Sequence, residues 1–140
     1  MFNPSREQAR NFFFDAWRKC REGQPLAGLE TVGVEIMLLH PEYHHVLDDP
    51  DRFLDRDYVP EDGQANPFLH MSLHVAIEEQ LAIDQPPGIR AEFDRILADR
   101  GDRHDALHAV LECLGEVVWA AQRARAVPDG AAYLECLRRR

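Results

Sequence analysis

A chain of 140 residues, 45% hydrophobic and 29% charged, has the makeup of one ordinary globular domain spanning residues 1–140. Its formal net charge of −9 excludes a nucleic-acid binder, because phosphates need a basic surface, and the arginine run 138–140 is too short to reverse that balance. No stretch approaches the roughly 20 apolar residues of a membrane span.

The opening MFNPSREQAR has no apolar signal core, so the expectation is a cytoplasmic protein. Cys20, Cys113 and Cys136 are odd in number and widely spaced, and they read as reduced thiols rather than a disulfide framework. A homodimer is compatible with this composition.

Helical punctuation runs along the whole chain. Asn3-Pro4 is a cap followed by a first-turn proline, and Phe12, Phe13, Ala16, Trp17 and Cys20 then recur at helical spacing up to Gly23. A second helix is predicted over Leu26 to His40, with Leu29, Val32, Ile36 and Leu39 buried. Pro41 restarts the chain for another turn or two of helix to Leu47. Residues 48–65 are acidic and interrupted by Pro50, Pro60 and Gly63, which predicts loop with a short helix.

Asn66-Pro67 repeats the opening cap and starts a third long helix reaching Ile83, and Gln85-Pro86-Pro87-Gly88 breaks it. A shorter helix is predicted from Ile89 to Ala98. Asp102 caps the longest helix, to Arg125, and Pro128 opens a final short one through Leu137. Alternating polarity between hairpin turns is not evident, so the predicted class is all-α, a bundle of about four main helices with short additions. Trp17, Trp119 and the Phe12–Phe14 run read as core.

The motif that carries chemistry occurs twice, as HxxLHxxIE at His70, His74 and Glu78, and as HxxLHxxLE at His104, His108 and Glu112. Spacing of four stacks each triplet along one side of a helix, with neighbouring side chains about 5–6 Å apart. Two such helices facing each other would gather four imidazoles and two carboxylates, a donor set suited to iron or zinc. His70 and His74 fall on the predicted buried side of their helix with Ile77 and Leu81, and Glu78 lies at its edge. His104 and His108 border the arc of Leu107, Val110, Leu111, Leu114 and Val118, with Glu112 leaning to the polar side.

Six of the seven histidines fall in i, i+4 pairs, the third pair being His40 and His44 around Pro41. The kink histidines, with Glu42 and His45, are ligands aimed by a bent helix end or titrating surface groups; both readings stand. Glu35, among apolar neighbours, is a further candidate if buried, since a buried carboxylate wants a cation or a proton. The donors suffice for a di-iron centre in an oxygen-related or sensing role, or for a single ion with the remaining groups supporting it. A metal-free interaction module with surface histidines is the reading from a different class. Phosphate loops and nucleophile motifs are not evident, and no enzymatic activity follows from the residues.

Several segments carry resemblances to known families. MFNPSREQAR, HPEYH at 40–44, EDGQANPFLH at 61–70, IEEQLAIDQPPGIR at 77–90 and AYLEC at 132–136 together resemble an uncharacterised bacterial domain-of-unknown-function family, over nearly the whole chain. That resemblance implies a small bacterial protein and no particular activity. His74/Glu78 and His104/His108 resemble the HxxxE and HxxxH elements of hemerythrins, which implies a di-iron centre, although the later HxxxxD is missing. His40 or His44 with His70/His74 is similar to the single His plus HxxxH of DinB-like bundles, which implies a mononuclear site and a metal-dependent hydrolase or transferase.

Overall fold

Ser5 opens the first helix with a capping box: its hydroxyl accepts from the Gln8 backbone N–H while the Gln8 side chain accepts from the Ser5 N–H. The computed structural model describes residues 5–58 and 66–140, so the Asn3-Pro4 signal and the Pro60–Gly63 stretch lie outside the described residues. Helices α1 (Arg6–Arg21), α2 (Leu29–Leu38), a 3-10 turn (Pro41–Tyr43), α3 (His44–Leu47) and α4 (Pro50–Phe53) lead to α5 (Pro67–Ile83). Then come α6 (Ile89–Arg100), α7 (Arg103–Ala124) and α8 (Gly130–Arg138). The class is all-α, with no strand among the described residues. No helix is long and apolar enough to cross a membrane among the described residues.

The chain gathers into two compact units, Met1–Ala76 and Ile77–Arg140, with the division inside α5. In the first unit α1 and α2 pack closely. A Cβ on Gly33 would stand 3.0 Å from the Phe12 ring, so glycine there is what allows the approach. Lys19 pairs with Glu30 across the same two helices at 2.6 Å and holds that carboxyl below its ordinary range. Phe13, Trp17, Met37, Val46, Met71 and Val75 form the core.

Arg10, only 2% exposed, donates from Nη1 to the carbonyls of Phe53 (3.0 Å) and Leu54 (2.9 Å), and its guanidinium lies 4.8 Å from the Phe68 ring centroid. Burial, with the charge of Arg6, lowers its pKa. Arg6 reaches the same segment, donating to the carbonyls of Asp55 and Arg56 and pairing with Asp57 at 2.8 Å.

In the second unit α7 packs against α6 and α8. Ile89, Phe93, Ile96, Leu107, Val110 and Leu137 are buried. Arg90 donates to the Leu81 and Ala82 carbonyls at the end of α5, replacing the hydrogen bonds that the last turn lacks. Asp129 caps α8, and the buried Tyr133 hydroxyl donates to Gln80 at 2.7 Å.

Three expectations need correction here. Cys113 and Cys136 form a disulfide joining α7 to α8, with Cα atoms 5.8 Å apart, so only Cys20 is a free thiol. The expectation of three reduced thiols failed because their separation of 23 residues gives no local sign of pairing; the cysteines therefore no longer argue for a compartment. Trp119 is 59% exposed, with the Arg123 guanidinium over its ring, and is not core. On α2 the buried residues are Gly33, Val34, Ile36 and Met37, with Leu29 and Val32 half-buried, and Leu39 is exposed at the cap just past the helix end.

Candidate metal centre

Proline 41 decides where His40 goes. It cannot continue α2, and it disfavours helical backbone in the residue before it, so His40 leaves the helix at φ −124°, ψ 66°. Its side chain turns inward and is 1% exposed. His70 and His74 come from the first turns of α5, one turn apart. This helix is started by Asn66, whose Oδ1 accepts from the N–H groups of Phe68 and Leu69. His74 is 2% exposed and His70 half-buried.

His70 presents its Nε2 to the Nε2 atoms of both His40 and His74. His70 Nε2 lies 3.2 Å from His40 Nε2 and 3.2 Å from His74 Nε2. The ligand atoms of the three fall within 4.8 Å of one another. His40 Nδ1 donates to the Ile36 carbonyl at 2.7 Å, which places the proton on Nδ1 and leaves the Nε2 of a neutral ring as a lone pair. His70 Nε2 carries one hydrogen or one lone pair, so it can make one linear hydrogen bond and not two. The contacts over-subscribe it as a hydrogen-bonding group, whereas three lone pairs converging on one cation use each nitrogen once.

The spacing also suits an ion. Metal–nitrogen bonds of about 2.0–2.1 Å put neighbouring ligand nitrogens roughly 2.8–3.0 Å apart in octahedral and roughly 3.3–3.4 Å apart in tetrahedral coordination. The carbonyl behind His40 is the kind of outer partner that fixes the tautomer and ring angle of a ligating imidazole.

Tyr43 belongs to this neighbourhood and was not singled out by the sequence reading, although it stands inside HPEYH. Its ring stacks on His40, centroids 5.4 Å apart and planes within 6°, and meets His70 edge-on at 6.1 Å. Burial, helped by the Glu42 charge, raises its phenol pKa, so it stays protonated at neutral pH. An aromatic three residues after the histidine on a one-turn 3-10 element is the signal that could have found it.

Among the described residues of the first unit, the other candidates do not join these three imidazoles. His44 donates from Nε2 to the Met37 carbonyl at 2.7 Å and stacks against Trp17, whose indole N–H donates to Asp48. His45 and Glu42 are exposed, and so is Glu35, whose apolar sequence neighbours face the other side of α2. Glu78 takes both Nη groups of Arg103, at 2.9 and 3.1 Å. Glu112 is exposed and pairs with Arg140. On α7, the His104 and His108 rings lie tilted at 57° with centroids 4.2 Å apart, both half-buried. Neither Glu35 nor Glu42 joins the imidazole group of the first unit.

Neither the curated proteins nor the solved structures contain a match to the chain. The family model described as a domain of unknown function, DUF1841, matches residues 5–139, and the chain belongs to that family.

Proposed function

We propose that His40, His70 and His74 hold one divalent first-row transition ion, zinc or iron, with a coordination position left open, and that the protein is a metal-dependent hydrolase or transferase. The observation that carries this reading is the convergence of three Nε2 atoms at 3.2 Å spacings. The combination of a single histidine with an HxxxH pair is the arrangement for which the chain is similar to DinB-like bundles. Three imidazoles with an open fourth position are a donor set that can lower the pKa of a bound water to about 7 or polarise a carbonyl or phosphoryl oxygen.

A di-iron centre with an oxygen-related role is less favoured, because the two triplet carboxylates are engaged by Arg103 and Arg140. The test is elemental analysis of untagged protein prepared without chelator and then reconstituted anaerobically with iron or zinc. About one ion per chain is expected. A ratio near two would restore the dinuclear reading, and none after reconstitution would leave a metal-free interaction module.

The repeated HxxLHxx motif extends the proposal to His104 and His108 as partners supporting the ligands, on the sequence repeat alone. His108→Ala tests that extension separately: metal affinity is expected to fall about 10-fold, within the range for a supporting ligand partner. Unchanged affinity by competition with a chromogenic chelator would remove the second pair.

A further inference from the structure

We propose that Tyr43 is a positioning residue of the imidazole site: its ring fixes the plane of the His40 ring and so the direction in which His40 Nε2 donates. This rests on the reading of His40, His70 and His74 as ligands of one ion. The lone pair of an imidazole nitrogen lies in the plane of the ring, so ring orientation decides whether the donor meets the ion. His40 needs an orienting partner more than the other two donors. His70 and His74 ride on α5, whose regular backbone confines their rotamers. His40 has left its helix at φ −124°, ψ 66°, where no preceding turn restricts the side chain in that way. The Ile36 carbonyl holds His40 Nδ1 at 2.7 Å, but a single hydrogen bond fixes a point on a ring and not its plane.

The missing constraint comes from three residues further along the chain. Pro41 starts the 3-10 turn, which the Tyr43 N–H closes by donating to the His40 carbonyl at 2.9 Å. In this geometry side chains three residues apart eclipse, which brings the phenol over the imidazole. The two rings are parallel within 6° at a centroid separation of 5.4 Å, an offset stack.

Tyr43 is itself packed against the core of the first unit, so the surface it offers His40 is anchored. Its edge-on approach to His70, centroids 6.1 Å apart at 73°, sets one side chain beside two of the three donors. Both contacts are made by the ring. Phenylalanine should therefore serve at this position, and a non-aromatic residue of similar bulk should not.

The experiment compares the full wild-type chain with Tyr43→Leu and Tyr43→Phe, loaded with cobalt(II) at a temperature where all are folded by far-UV circular dichroism. Tyr43→Met, which fills irregular space more adaptably, replaces Tyr43→Leu if leucine unfolds the chain. Affinity is read by competition with a chromogenic chelator, and coordination geometry from the visible d–d bands. Tyr43→Leu is expected to bind about 10-fold more weakly or worse, in the range for losing a partner that orients a ligand, with altered d–d bands. Tyr43→Phe keeps the stacking face and is expected to stay within about 2-fold of wild type, with the wild-type spectrum. A lower melting temperature for Tyr43→Leu with unchanged affinity and spectrum would show a role in stability alone and overturn the proposal. Tyr43→Phe binding as weakly as Tyr43→Leu overturns it too, since the hydroxyl is then the working group. In both cases the wild-type chain still binds cobalt and the three-imidazole reading stands; a wild-type chain that binds none brings down that reading and this inference with it.

Discussion

His74→Leu is expected to lose metal binding by more than the roughly 10- to 100-fold typical of removing an outer partner of a ligand, while the metal-free protein melts at or above the wild-type temperature. Leucine fills much of the volume of the ring without offering a nitrogen, so packing and donation are separated. The metal-free stability should hold because the wild-type arrangement crowds three Nε2 atoms at 3.2 Å spacings, more contacts than their hydrogens can serve. An ion bound only by the folded state raises stability by about 2.7 kcal/mol at a concentration 100 times its dissociation constant. Thermal melts of the wild-type chain should therefore rise with added zinc, and those of His74→Leu should not. Glu78→Gln and Glu112→Gln are the matched controls. Their carboxylates are occupied by Arg103 and Arg140, so both variants should bind metal within about 2-fold of wild type, a change too small to register against a lost ligand. A large loss in either control would put the carboxylates back among the ligands and sink the three-imidazole reading.

Arg10→Met is expected to destabilise the chain by about 3–5 kcal/mol, against no more than about 1 kcal/mol for Arg6→Ala. The buried guanidinium of Arg10 satisfies the Phe53 and Leu54 carbonyls and lies over Phe68. Methionine keeps much of the apolar stem but leaves those carbonyls without their donor, at roughly 1–3 kcal/mol each, and forfeits the cation–π contact. Arg6 makes similar bonds one turn away, yet its side chain is more than half exposed and water can replace it. Urea unfolding monitored by far-UV circular dichroism would check the pair. Equal effects at the two positions would show that burial is not what makes Arg10 matter.

Much of the helical plan was legible because it is written in local chemistry. Asn66-Pro67 and Asp102 mark the starts of α5 and α7 at the residues where the structure begins them, and Ile83 ends α5 as read. His70 and His74 could be assigned to a buried stripe from periodicity alone. His40 could not be singled out from His44, because the choice depends on how Pro41 bends the backbone and on which ring the Met37 carbonyl captures. The roles of Glu78 and Glu112 were hidden for another reason: their partners lie 25 and 28 residues away, and spacing on one helix says nothing about a guanidinium on another. The disulfide and the exposed Trp119 were missed in the same way, since both depend on how separate helices pack.

Arg10 has a consequence for anyone assigning the ligands genetically. Phe68 stands two residues before His70, and its ring is held in the first unit by Arg10 from one side and by Phe14 at 5.4 Å. On the proposed metal-binding reading, a random library screened for loss of bound metal would therefore return first-helix hits alongside the histidines, although no first-helix residue is among the proposed ligands. Telling the two groups apart requires scoring protein abundance together with metal content: ligand variants keep the protein and lose the ion, whereas Arg10 and Phe14 variants lose both.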